Sequence, residues 1–330
     1  VLLTQIYEII QDDVQTVEDT FSRLVKDKEI EAPELSLLLN SALGGGKVVR
    51  PALAFLCARC INYENHRANI QRFAAACELM HISTLVHDDA VDKAQTRRGK
   101  PTINSHFGTE KAVLLGDYMF AKAAEMVVET GNQEIFRLFS LTLQTITSGE
   151  IKQSFDLFRY DQDINDYNNR IYGKTSSLIV LAALGGAMLA GAEPHELAAI
   201  REYAHKTGLA FQIVDDILDF VGDEKMMGKP VGGDLKQGTI TLPCLYYIEN
   251  NREDNLVKRA FASKNTKVRN RLLDKAVKEI SHPKNDYIRR AYEQASLYRD
   301  EAVAALKVIR ECQAKECLIN LSEFLINRNT

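Results

Sequence analysis

Two apolar runs in this chain stop at the same acidic pattern. Residues 78–87 (ELMHISTLVH) run into Asp88-Asp89-Ala90-Val91-Asp92, and residues 208–214 (GLAFQIV) run into Asp215-Asp216-Ile217-Leu218-Asp219. Runs of this length, rich in Leu, Ala and Met, favour buried helix over strand. On a helix, Asp88 and Asp92 stack at i,i+4, as do Asp215 and Asp219. Carboxylates on one face repel, and near a helix C-terminus they also meet the negative end of the macrodipole. A core helix carries that cost only where something cationic balances it. Oxygen-only donors suit hard ions, and Mg²⁺ commonly takes one or two carboxylates together with phosphate oxygens. Two facing clusters of this kind describe a cage for a polyphosphate held through Mg²⁺.

The rest of the chain limits the frame in which such clusters can sit. Helical periodicity covers residues 3–27, 47–61, 70–92, 110–130, 134–158, 166–190, 194–221 and 240–250, and amphipathic helices fill the last eighty residues or so. No convincing strand alternation appears. Pro33, Pro51, Pro194, Pro243 and Pro283 fall at helix starts or in loops, where proline is tolerated. No linker or composition shift divides the chain. The expectation is all-α: one domain over 1–330, a single large helical bundle with a central active-site cavity, its site built from side chains projecting inward from facing helices. A net charge of −4 gives no nucleic-acid footprint. Cys57 and Cys60 form a CxxC without a second pair at zinc-ligand spacing, so they read as reduced core thiols in a reducing compartment, most simply cytoplasm. The longest apolar stretch, residues 178–192, contains Gly185-Gly186 and falls short of the ~20 residues a membrane span requires, so no transmembrane segment is expected.

Several basic segments accompany the acidic ones. In Gly44-Gly45-Gly46-Lys47-Val48-Val49-Arg50-Pro51 the glycines allow close backbone approach to a ligand, and Pro51 presets a helix start whose free N–H groups favour anions. Lys47 and Arg50, three apart, can reach one anion. Arg97 and Arg98 follow the first acidic motif, and two adjacent guanidinium forks point in different directions, suiting two diphosphates. Gly173-Lys174-Thr175 lacks the strand and upstream glycine of a Walker loop, which leaves Lys174 as a phosphate cation. Residues 227–243, with Lys229 and Lys236, read as a mobile cation-bearing flap. No His/Cys set has zinc spacing.

In this order the motifs resemble the trans-isoprenyl diphosphate synthases, the polyprenyl synthetase family: GGGKxxRP at 44–51, DDxxD at 88–92, RRGKPT at 97–102, GDYMFAKA at 116–123, GEIKQ at 149–153, GKTSSL at 173–178, FQIVDDILD at 211–219 and GKPVGGDLKQGTITLP at 228–243. The resemblance runs from about residue 30 to the C-terminus and implies the isoprenoid synthase fold and a homodimer. It implies that Asp88, Asp92 and Asp215 ligate Mg²⁺, about three ions per site, with Asp89, Asp216 and Asp219 as auxiliary carboxylates. It further implies that Arg97, Lys174 and Lys229 hold an allylic diphosphate (dimethylallyl, geranyl, farnesyl or geranylgeranyl). Lys47, Arg50, His81 and Arg98 would hold isopentenyl diphosphate, and Thr175 and Gln212 would lie beside the developing allylic cation. The family commonly has Arg after the motif Lys where this chain has Val48. Thr239 stands where short-chain members carry a lysine, which resembles the longer-chain branch.

The expected chemistry is ionisation of the allylic diphosphate, attack by the double bond of isopentenyl diphosphate, and exclusion of water from the cation. The growing chain is expected to run from Asp88 past Thr84, Ser83 and Met80 on the same helix. No bulky aromatic stands at Ser83 and Ala121 is small, while Phe120 is a candidate floor. This favours a product of about six or more isoprene units, C30 or longer, given a helix rise of ~5.4 Å per turn. The alternatives are a geranylgeranyl (C20) diphosphate synthase, a class I terpene cyclase, for which GGGKxxRP is superfluous, and a non-catalytic subunit of a heteromeric synthase, which would tend to lose the Asp clusters.

Overall fold

The computed structural model of the chain describes residues 6–27, 33–43, 48–97, 99–222 and 231–327. Helices α1 (Gln11–Val25), α2 (Pro33–Ala42) and α3 (Val49–Arg59) lead to α4 (Arg67–Val91), whose last turn enters the first acidic motif. A short antiparallel hairpin follows, β1 (Thr96–Arg97) with β2 (Lys100–Pro101), the one sheet among the described residues. Next come α5 (Ile103–Phe107), α6 (Thr109–Val128), α7 (Gln133–Asp156) and α8 (Ile164–Ile171). A π-helical turn (Tyr172–Ser176) joins α8 to α9 (Ser177–Leu189), and α10 (Pro194–Val221) carries the second acidic motif. The chain continues through α11 (Gly233–Lys236), α12 (Leu242–Asn250), α13 (Leu256–Ala262), α14 (Thr266–Ile280), α15 (Tyr287–Ala305) and α16 (Gln313–Asn327).

These elements group into two compact units. The first comprises residues 1–142, 178–201 and 306–321, and the second 143–177, 202–305 and 322–330. In the first, residues 51–58 of α3, 73–80 of α4 and 178–184 of α9 are buried on every side, the state of a helix that is apolar all round. Fully burying a side chain such as Phe73 is worth about 1.5–3 kcal/mol. The Gly185-Gly186 pair of α9 is what permits this packing. A Cβ on Gly185 would stand 2.0 Å from the Phe73 ring, and one on Gly186 would stand 2.2 Å from the Ala54 carbonyl oxygen of α3. The pair is thus a helix-crossing point rather than an interruption.

Helix α1 buries Val17, Phe21 and Leu24 in the same unit and is tied to it further by one carboxylate. Asp13 is fully buried and accepts hydrogen bonds from Tyr63 Oη, from Arg59 Nη2 at 2.5 Å, from Gln71 Nε2 at 2.9 Å and from Arg67 Nη2 at 3.3 Å. The Arg59 guanidinium also lies 4.3 Å from the centre of the Tyr63 ring, within cation–π range. Burial alone would raise the Asp13 pKa. The hydrogen bonds from Tyr63, Gln71 and Arg59 outweigh it and hold the carboxyl below the usual range.

The second unit has its own core. Ile213, Val214, Ile217 and Phe220 of α10 pack with Tyr167 of α8, Leu235 of α11, Leu242 and Leu245 of α12 and Leu273 of α14. The helical run Ile164–Leu189, counted through the π turn, is 26 residues long and apolar enough to cross a membrane by length and composition. Of its most apolar window 83% is buried within the protein, as in a core helix.

Candidate active site

The first acidic motif closes α4. Asp88 is half-buried, Asp89 is buried, and Asp92 is the exposed C-cap residue. Asp89 is engaged within its own unit. Arg97 of β1 donates from Nε to both carboxylate oxygens at 3.0 and 2.9 Å, and its Nη2 lies 2.9 Å from Oδ1. The hairpin therefore folds back to bring Arg97, a candidate diphosphate ligand that is itself 40% exposed, onto the motif. Its neighbour Arg98 lies outside the described residues, as do Lys47 and Lys229.

The second motif, on α10, repeats part of this division. Asp215 is half-buried and Asp216 is buried. Asp216 accepts from Tyr167 Oη at 2.8 Å and from Gln212 Nε2 at 2.9 Å. Burial pushes the Asp216 carboxyl up to about 7, and the nearby Asp234 carboxylate adds to the rise. The hydrogen bonds from Gln212 and Tyr167 and the charge of Arg170 act the other way. The third positions differ. Asp219 is buried and accepts from the N–H groups of Gly233 at 3.1 Å and Asp234 at 3.2 Å, while its backbone carbonyl accepts from Gly232 N at 2.7 Å. It is the anion at the first turn of α11.

This anchor changes the reading of the expected flap. Residues 228–230 lie outside the described residues, but 231–238 are fastened. Leu235 is fully buried, Lys236 pairs with Asp274 at 3.0 Å, and the α11 turn is tied to Asp219. The 231–238 half is therefore docked on its own unit. That Asp219 satisfies the amides of this segment is not legible in its sequence.

Lys174 and Thr175 sit on the π turn, with Lys174 exposed and Thr175 buried. π turns recur at functional sites because the extra residue re-aims side chains. Here Thr175 Oγ1 donates to Gln212 Oε1 at 2.5 Å. Thr175, Gln212, Asp216 and Tyr167 thus form one chain of hydrogen bonds in which the Gln212 amide is oriented from both ends. Thr175 and Gln212, expected together at the site, are in contact. Tyr167 was missed by sequence reasoning. It lies in the polar stretch DYNNR, and only its distant partner reveals its part.

Of the remaining candidates, Arg50 is half-buried in the first turn of α3 and His81 is half-buried on α4. Val48, at the α3 N-cap, has φ 42, a strained left-handed conformation for a β-branched residue. Met80 is fully buried. Ser83 is also fully buried, and its hydroxyl donates to the Gly116 carbonyl of α6 at 2.7 Å. His87 packs over the same glycine, its Nε2 2.0 Å from where a Cβ would stand, and meets Phe120 edge-on at 5.4 Å. The face of α4 bearing Ser83 and His87 is thus closed by α6. Thr84, four residues before Asp88, is half-buried, and Ala121 is exposed.

A chain that is helical but for one short hairpin, with two DDxxD motifs each holding its second carboxylate buried within its own unit, is what the resemblance to prenyl-diphosphate enzymes implies. The family model for polyprenyl synthetases matches residues 32–280. Over 327 residues the chain is 35% identical to heptaprenyl diphosphate synthase component 2 of Geobacillus stearothermophilus, covering 99% of each. Its structure superposes on heptaprenyl diphosphate synthase from Staphylococcus aureus with a TM-score of 0.90 at 30% identity, covering 97% of this chain and 99% of that one. A second solved structure, polyprenyl synthase from Caulobacter crescentus complexed with calcium and isoprenyl diphosphate, gives 0.86 at 30% identity, covering 99% and 98%. The chain belongs to the polyprenyl synthetase family. It is a prenyltransferase with the isoprenoid synthase fold.

Proposed function

We propose that this chain, acting as one domain over residues 1–330, condenses isopentenyl diphosphate with an allylic diphosphate, head to tail and trans, to a polyprenyl diphosphate of C30 or longer. The observation that carries this reading is the pair of acidic motifs, each leaving its first carboxylate half-buried while the second is held by its own unit. The heptaprenyl relatives support the product class.

Among the described residues no three His, Cys, Asp or Glu side chains converge as a ready-made metal set. The oxygen-only donors of the two acidic motifs fit Mg²⁺, which takes one or two carboxylates and draws its other ligands from phosphate and water. Asp88 and Asp92 in one motif and Asp215 in the other would hold such ions, with one or two carboxylates to each. Bound there, Mg²⁺ would supply neutralisation of the leaving diphosphate's charge. The protein's own groups do the rest in this reading. Arg97 and Lys174 bind the allylic diphosphate, and Arg50 and His81 bind isopentenyl diphosphate. Thr175 and Gln212 present an oriented hydroxyl and amide oxygen to the developing cation. EDTA is expected to abolish turnover and Mg²⁺ to restore it. Asp88→Ala and Asp215→Ala are each expected to lower the rate by orders of magnitude with the fold retained. Product chromatography after incubation with isopentenyl and farnesyl diphosphates is the measurement, and near-normal turnover by either variant sinks the assignment.

Compartment and assembly follow as part of the same proposal: a cytoplasmic homodimer. Six free cysteines fit a reducing compartment. Leu114 and Val128 of α6 and Phe136 of α7 are 60, 57 and 39% exposed in the single chain, an apolar surface suited to a second copy. Leu114→Glu is expected to shift sedimentation towards the monomer; an unchanged profile removes α6 from the interface. The designation component 2 of the Geobacillus relative favours a second reading, one subunit of a heteromeric synthase. Full turnover by the purified chain alone decides against it.

A further inference from the structure

The first unit holds a pair of thiols that the prenyl-transfer reading does not use. Cys60 is the C-cap of α3 and is fully buried; Cys312 lies just before α16 and is partly exposed. Far apart in sequence, |i−j| = 252, they meet in space, with the Cys312 thiol donating to Cys60 Sγ at 3.8 Å. Both sides of the pair are held. Arg310 donates from Nε to the Cys60 carbonyl at 2.6 Å and from Nη2 to the Arg59 carbonyl at 3.0 Å, so its guanidinium caps the C-terminus of α3. Lys315, buried, donates from Nζ to the Ile309 carbonyl at 2.9 Å and to Glu311 at 2.6 Å, fixing the turn that presents Cys312.

We propose that Cys60 and Cys312 are a site of reversible disulfide formation, driven by small-molecule disulfides of the glutathione type, that staples α16 to the end of α3. A disulfide needs its sulfurs about 2.05 Å apart, so the pair has less than 2 Å to close between segments already docked on one another. The steps balance. The partly exposed Cys312, as thiolate, attacks one sulfur of the small disulfide, forming a mixed disulfide and releasing one small thiolate, which is protonated. Cys60 then loses its proton to solvent and attacks Cys312 Sγ, expelling the second small thiolate. The protein loses two electrons and two protons, and the small disulfide becomes two thiols. Burial holds the Cys60 thiol far above its ordinary range, with the neighbouring Cys57 and Cys312 adding to the rise and Arg310 opposing it. Cys60 is therefore the resolving thiol and the partly exposed Cys312 the attacking one.

The test is peptide mapping of the purified, reduced full-length chain after incubation with oxidised glutathione, with free thiols alkylated before digestion. The expected result is a single cross-linked peptide pair joining Cys60 to Cys312, lost on treatment with dithiothreitol and absent from Cys312→Ser. Because the closed loop is long, the oxidised chain is expected to melt at a higher temperature than the reduced one, with no such difference in Cys312→Ser. Recovery of Cys312 only as its glutathione adduct overturns the proposal, as does its pairing with Cys57 or Cys317. The wild-type map decides the matter even if a cysteine variant folds poorly.

Discussion

Asp89 and Asp216 occupy the second position of their motifs, and each is engaged by side chains of its own unit. Asp89 takes three close contacts from Arg97, and Asp216 takes one each from Tyr167 and Gln212. A guanidinium held in this way keeps a fixed direction, and its remaining donors stay available to phosphate. Arg97 is 40% exposed, so the pair is worth little as a stability element, and its value lies in orientation. Arg97→Ala is expected to raise KM for the allylic diphosphate about tenfold or more, equivalent to ~1.4 kcal/mol. Asp89→Asn, which loosens the same guanidinium but leaves it present, is expected to produce a smaller rise on the same substrate. Steady-state kinetics with each diphosphate varied measures both. A defect confined to isopentenyl diphosphate in either variant contradicts the assignment of Arg97 to the allylic side.

At the scale of elements, α1 adds one buried carboxylate to the apolar face that it shares with the long helices. The folded pKa of Asp13 is depressed below its unfolded value of ~3.9. Its contribution is therefore fully present above that value and lost as pH falls through the lower folded one. Thermal melts of wild type and Asp13→Asn are expected to differ most above about pH 4 and to converge in acid. Near neutral pH the variant is expected to lose about 3 kcal/mol, the scale for breaking a buried ion pair from one side. Equal melts across the range would mean that Asp13 does not fasten α1. Nothing in the sequence marks Asp13 among the acidic positions of α1, since its four partners come from residues 59–71. What periodicity does carry is the helices themselves. The expected 194–221 is observed as Pro194–Val221, and 110–130 as Thr109–Val128. Pro33 and Pro194 begin their helices, and Pro51 and Pro243 lie in first turns. The π turn inside the expected 166–190 was invisible, because residues 178–184 after it are buried on every side and carry no polar face to show the shift in phase. The acidic motifs were legible because their spacing is local. The partners of Asp89, Asp216 and Asp219 were not, because hydrogen-bond partners are chosen by the fold.

Product length belongs to the molecule as a whole, since it depends on how far a hydrocarbon chain can run before side chains stop it. From Asp88 the route down α4 passes one turn, ~5.4 Å, for each four residues or so, which is roughly one isoprene unit. The sequence points to both Ser83 and Thr84 at the first such level. Their surroundings differ. Ser83 is fully buried with its hydroxyl 2.7 Å from the Gly116 carbonyl, on the side of α4 that α6 covers. Thr84 is half-buried, and its hydroxyl turns back to the His81 carbonyl at 2.8 Å. An aromatic ring at Ser83 must displace α6, an overpacking cost of about 1–3 kcal/mol. Thr84 keeps exposed surface into which the same ring can extend. Thr84→Phe is therefore expected to keep the wild-type melting temperature and to shift the product distribution to shorter chains than wild type, the block lying about one helical turn below Asp88. Ser83→Phe is expected to melt earlier than wild type. Chromatography of the products alongside thermal melts reads both outcomes. An unchanged product distribution in Thr84→Phe, with turnover intact, would take the growing chain off this face of α4.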